Sequence, residues 1–68
     1  MITEAVGQRI KEFRAIQGLS QEKLALKADL DRTYIAGVEQ GKRNISLKSL
    51  EKIVEALGVS FEDFFKGI

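Results

Sequence analysis

One short pattern recurs four times along this chain and leaves few folds open to it. An apolar residue stands just before a Ser or Asp, and a second apolar residue follows four positions after the polar one. The four matches are Leu19, Ser20, Leu24; Leu30, Asp31, Ile35; Ile45, Ser46, Leu50; and Val59, Ser60, Phe64. A Ser or Asp at a helix N-cap accepts a hydrogen bond from a free N–H of the first turn. The flanking apolar pair is a hydrophobic staple, which fixes how the chain enters the helix. The pattern therefore predicts helices beginning just after positions 20, 31, 46 and 60.

A further helix precedes these. Val6, Ile10 and Phe13 recur at spacings of four and three, the mark of a buried helical stripe. It is expected to run from about Thr3, as its cap, to about Gln17, with Glu4 favourable in the first turn and Gly18 as a left-handed stop. The fourth helix is expected over Leu47 to Leu57. Leu47, Leu50, Val54 and Leu57 share one face, with Ile53 at its edge and Lys48, Lys52 and Glu55 turned away. The fifth is short, from Phe61 to Lys66, with Glu62 and Asp63 in its N-terminal turn. Gly18, Gly41 and Gly58 fall near helix ends, and the chain contains no proline. The expected fold is all-α: five helices, no strands, one domain over residues 1–68.

The stretch Ser20 to Val38, SQEKLALKADLDRTYIAGV, then reads as two short helices joined by a tight turn. Ala25 must be small where the second helix crosses it. Position 29 must leave the first helix, in the left-handed region that Asp tolerates better than most residues, though less readily than Gly. Ile35 and Val38, one helical step apart, anchor the second helix in the core. With those two turned inward, Arg32, Thr33, Ala36 and Gly37 face out, as a recognition helix presents side chains to a DNA major groove.

This spacing resembles the Cro/C1-type (XRE) helix-turn-helix family of bacterial and phage regulators. The likeness extends from about Val6, through GQRIKEFR, GLSQEKLA, GKRNISL and SLEKIVEALGVS, to about Phe65. Its one visible departure is Asp29, where the family usually has Gly. Within the family, LDRTYI followed by GKRNISLKSLEKI and a Phe-rich end looks most like the controller proteins of restriction–modification systems. That resemblance implies a compact lambda-repressor-like domain and an autoregulatory switch that delays restriction behind methylation. A phage or chromosomal repressor is the alternative within the class. An antitoxin-like protein-interaction module, binding its partner through the last two helices, is the alternative outside it.

Charge alone does not announce a nucleic-acid binder. Net charge is +1, and the 11 Lys and Arg are spread along the chain. Residues 1–19 carry three basic and two acidic groups, residues 20–44 five and four, residues 45–68 three and four. Binding must rest on where a few cations stand. Catalysis has little to work with. There is no His and no Cys, so imidazole chemistry, thiolate zinc sites and disulfides are absent. No phosphate-cradling glycine loop or metal-ligand spacing appears. No enzyme, metal, cofactor or small-molecule effector is expected. No apolar run approaches a membrane span, and MITEAVGQRIKEF lacks the apolar core of a signal peptide, so the expected location is the cytoplasm.

The expected DNA-facing residues are Gln21, Arg32, Thr33, Tyr34, Ala36, Gly37, Lys42, Arg43 and Asn44. Arg32 can make a bidentate contact to guanine, and the Thr33 methyl can meet that of thymine. Ala36 and Gly37 let the helix approach DNA, or Gly37 is merely a tolerated weak spot. Tyr34 either sets its hydroxyl on a phosphate or covers the core rim. Gln21, at the start of the second helix, suits phosphate. Lys42, Arg43 and Asn44 suit flanking phosphates, and Arg43 a base edge or the minor groove; otherwise the loop is a solubilising surface. The family resemblance implies a partly buried ion pair between Arg14 and Glu39. Phe61, Phe64, Phe65 and Ile68 exceed what one short helix must bury. Phe64 is expected in the core, and Ile45, Phe61, Phe65 and Ile68 in a twofold dimer interface within residues 45–68. Half-sites of a near-palindromic operator are then expected roughly 10 bp apart.

Overall fold

The computed structural model describes residues 1–68. Its five helices are α1 (Ile2–Ile16), α2 (Gln21–Ala28), α3 (Arg32–Glu39), α4 (Leu47–Leu57) and α5 (Phe61–Phe65). The four stapled helices begin where the pattern places them, and each begins on its cap. Ser20, Asp31, Ser46 and Ser60 are extended at φ between −75° and −81°, and their side chains accept from Lys23, Thr33, Ser49 and Asp63 N–H groups. Asp29 ends α2 in the left-handed region, at φ 57° and ψ 48°. Gly18 and Gly58 do the same work after α1 and α4, at φ 68° and 71°.

Two local expectations need correction. Thr3 is not the cap of α1: the helix starts one residue earlier, with Met1 as N-cap. Thr3 lies inside the first turn, where its hydroxyl reaches the Asn44 side chain at 3.2 Å. On α4, Leu47 is 85% exposed and Ile53 fully buried. Both sit about 60° from Leu50 around the helix, on opposite sides. Leu47 is the first residue of the helix and overhangs the core, while Ile53 lies in its middle.

The core joins all five helices. Val6 and Ile10 of α1, Leu24, Ala25 and Ala28 of α2, Ile35 and Val38 of α3, Leu50, Ile53, Val54 and Leu57 of α4, and Phe64 of α5 form one buried cluster. Phe13 stacks on Phe64 with ring centroids 6.0 Å apart, and Phe65 meets Phe64 edge-on at 5.1 Å. α1 crosses α3, and α2 packs on both α3 and α4. The crossing of α1 and α3 is backbone on backbone. Gly7 is buried there, and a β-carbon on it would fall well inside van der Waals contact with the Val38 carbonyl oxygen and 3.1 Å from Glu39 Cα.

α1 also closes the ends of other helices. Gln17 Nε2 donates to the Leu57 carbonyl at the end of α4 (2.6 Å). α5 ends in an extended residue, Lys66, followed by Gly67 at φ 86°, and Ile68 N–H closes the turn on the Phe65 carbonyl at 3.0 Å. Arg9 takes two further carbonyls: its guanidinium donates to those of Phe64 (2.8 Å) and Lys66. No helix of the protein is long and apolar enough to cross a membrane.

Candidate nucleic-acid interface

The turn between α2 and α3 is fixed from both sides. Leu30 N–H donates back to the Ala25 carbonyl at 2.9 Å, closing α2 across the left-handed Asp29. Asp31 then opens α3 by accepting from Thr33 N–H at 2.9 Å. Ile35 and Val38, 0% and 1% exposed, lock the rotation of α3 about its axis. With that rotation fixed, Arg32 and Thr33 are exposed on its first turn, and Ala36 and Gly37 follow half-buried.

Two polar clefts flank this helix. Gln21 and Arg32 line one, together with Arg14, Ser20 and Glu22. Thr33, Tyr34 and Arg43 line the other, with Leu30, Asp31 and Ser49. The fold thus gathers on one side of the molecule residues spread over more than 20 positions of sequence. Lys42, Arg43 and Asn44 are all exposed in the loop after α3. The loop is held by backbone bonds from Gly41 to Val38 and from Lys42 to Gly37, each 3.0 Å, and by the Thr3 hydroxyl on Asn44. Thr3, expected only as a helix cap, and Ser49 were not expected beside this helix; each belongs to an ordinary first helical turn and gives no local signal of it.

Arg14 and Glu39 form the expected pair, with more partners than expected. Arg14 Nε donates to Glu39 Oε2 at 2.8 Å and Nη2 to Oε1 at 3.0 Å, a bidentate fork. Arg14 Nη1 donates to the Leu19 carbonyl at 2.9 Å, and Gln21 Nε2 donates to Glu39 Oε1 at 3.0 Å. The start of α2 and the end of α3 are therefore pinned to α1 through one carboxylate. The hydrogen bonds to Glu39 raise the Arg14 pKa above the ordinary guanidinium value; burial opposes this and the Glu39 charge adds to it. For a cation whose pKa is raised on folding, the stabilisation stands below the unfolded value and is lost only as pH rises past the folded one, in strong alkali. Gln21 commits one amide hydrogen to this network and keeps its carbonyl oxygen and second hydrogen at the cleft.

Tyr34 covers the core rim. It is half-buried against the core, and its hydroxyl accepts from Ser46 N–H at 3.3 Å, leaving its own proton to donate.

A separate apolar groove lies between the start of α1 and α4. Ile2, Val6, Ile45, Leu47, Leu50 and Phe65 line it, with Thr3 and Asn44 at its edge. Two of the four residues expected at a dimer interface, Ile45 and Phe65, meet here. The other two, Phe61 and Ile68, are 45% and 46% exposed but do not line the groove. Ile2 and Leu47, 59% and 85% exposed, were not expected in it. No group of three or more Asp and Glu side chains is placed to hold a metal ion.

Known proteins share this architecture. The family described as "Helix-turn-helix" matches residues 10–64. The control protein C.BamHI of Bacillus amyloliquefaciens is 50% identical over 58 residues, 84% of this chain and 72% of that one. The control protein C.MunI of a Mycoplasma species is 46% identical over 63 residues, 91% of this chain and 85% of that one. Among solved structures, the tetramer of the restriction–modification controller protein C.Esp1396I in complex with its natural 35 base-pair operator superposes with a TM-score of 0.92. It is 45% identical, and the match covers 97% of this chain and 87% of that one.

Proposed function

This chain belongs to the helix-turn-helix family, and from that premise we propose that it is a sequence-specific transcriptional regulator of the restriction–modification controller type. It binds an operator at its own promoter as a homodimer, and its role is binding rather than catalysis. The observation that carries this is the rotation of α3. Ile35 and Val38 hold it so that Arg32 and Thr33 project from its N-terminal turn, with Gln21 on one side and Arg43, in the exposed loop of Lys42 and Asn44, on the other. That is the layout of a recognition helix with phosphate contacts on both flanks. Ala36 and Gly37 complete the face, and its work is done in the cytoplasm.

What supports the homodimer is the apolar groove of Ile2, Ile45, Leu47 and Phe65, continuous with the loop that carries Asn44. A core of this size gains from a partner. Phe61 and Ile68 lie outside the groove and are further exposed apolar side chains of the same C-terminal segment. A twofold partner seated there would present two α3 helices to one duplex.

Two substitutions test the assignment of the face. Arg32→Ala should relax base choice at one position of each half-site, costing about 1–3 kcal/mol against the preferred sequence. Lys42→Ala should weaken all duplexes alike and lower the salt slope by roughly one. Binding curves on preferred and shuffled duplexes at two salt concentrations separate these outcomes. An unchanged preference in Arg32→Ala would contradict the assignment.

A further inference from the structure

Arg43 is held more closely than an exposed loop cation requires. Its guanidinium carbon lies 4.9 Å from the centroid of the Tyr34 ring. Its stem runs past Gly37, where a β-carbon would stand 3.5 Å from Arg43 Cβ and 3.9 Å from Cδ. Tyr34 and Gly37 are three residues apart and so neighbours on one face of α3. The side chain therefore lies along the recognition helix, its stem over Gly37 and its head on the ring. The ring cannot turn away. Packing against the core holds it, and this packing does not depend on the hydroxyl, which also accepts from Ser46 N–H at 3.3 Å. The backbone beneath Arg43 is equally fixed, since Lys42 N–H is bonded to the Gly37 carbonyl.

We infer that Tyr34 is a positioning residue that pre-sets Arg43 for its DNA contact, and that Gly37 is the gap in which the Arg43 stem lies. This deepens the regulator reading and rests on it. A long, free arginine loses most of its rotamer freedom when it binds. One already laid along the helix has met that cost on folding, so its contact is stronger and its direction defined. The cation–π contact is what holds it, because the ring face attracts the guanidinium without consuming its N–H donors. The competing role for Tyr34 is a direct hydrogen bond from its hydroxyl to a phosphate.

The two roles differ in what the hydroxyl does. Affinities are measured with the full chain on a duplex that the wild type itself selects. Tyr34→Phe keeps the ring and should bind within about twofold of wild type, whereas Tyr34→Leu should bind roughly tenfold more weakly, because a dimer carries two such rings. In an Arg43→Ala background the same Tyr34→Leu change should cost no more than about twofold, because the group it positions is gone. A loss in Tyr34→Phe equal to that in Tyr34→Leu would overturn the inference, as would losses from Tyr34→Leu and Arg43→Ala that simply multiply. A wild type that selects no duplex would overturn the regulator reading and this inference with it. A second measurement needs neither DNA nor a folded Leu variant. In the free protein the ring current should move the Arg43 side-chain methylene protons upfield, in wild type and in Tyr34→Phe alike. Arg43 resonances at ordinary exposed-arginine positions in wild type would overturn the inference.

Discussion

Gly7→Ala should cost this protein more stability than alanine at any of its other glycines. The new carbon would overlap the Val38 carbonyl oxygen and press on Glu39 Cα. Both are backbone, so no side chain can rotate away, and α1 and α3 must separate. Alanine raises helix propensity by about 1 kcal/mol over glycine. Overpacking a close contact costs typically 1–3 kcal/mol and occasionally more, and a clash of backbone with backbone belongs at the upper end. The net loss should be about 2 kcal/mol, a large share of the roughly 3–5 kcal/mol that a core of this size supplies. A thermal melt followed by circular dichroism should show Tm lowered by roughly 10 °C or more. DNA affinity should also fall, because the displaced helix is the one that presents Arg32 and Thr33. A melt within about 2 °C of wild type would contradict the close crossing.

Removing Arg14 alone should be more damaging still, by a different route. The Glu39 side chain is 4% exposed and would be left with Gln21 as its remaining side-chain partner. An uncompensated buried charge costs about 3–5 kcal/mol. Arg14→Ala should therefore be largely unfolded without a stabilising salt or osmolyte. Glu39→Ala should be milder, because Arg14 is 17% exposed, keeps its bond to the Leu19 carbonyl and can swing toward water. The double variant Arg14→Met/Glu39→Leu removes both charges and refills the space, and it should be more stable than Arg14→Ala. Urea midpoints of the three variants check the order. A double variant no more stable than Arg14→Ala would mean that the pair is no unit.

Much of this architecture was legible because its signals are local. An N-cap and its staple act within six residues, so Ser20, Asp31, Ser46 and Ser60 announce their helices without any knowledge of the rest of the fold. Asp29 was legible for the same reason, as was the inward turn of Ile35 and Val38 that sets the candidate DNA face. The Arg14–Glu39 pair lies 25 residues apart and came from family resemblance, not from any local rule.

The features that escaped are those made by contact between distant segments. Gly7 reads in sequence as a mild weakness in a helix, yet it is where two backbones meet. Arg9 reads as a surface cation, yet it caps a helix 55 residues away. Periodicity puts Leu47 on the buried face and Ile53 at its edge, and only the position of the core along α4 reverses them. In the candidate site, sequence named Tyr34, Gly37 and Arg43 separately but could not place the third across the other two.

The central claim is that this helix-turn-helix reads a paired site as a dimer. The most direct test is selection from a randomised duplex library at moderate salt, followed by sequencing of the bound fraction. Enrichment of two half-sites related by a twofold axis, with centres roughly 10 bp apart, is the predicted result. Folded protein that enriches no sequence, or only one unpaired half-site, would contradict it.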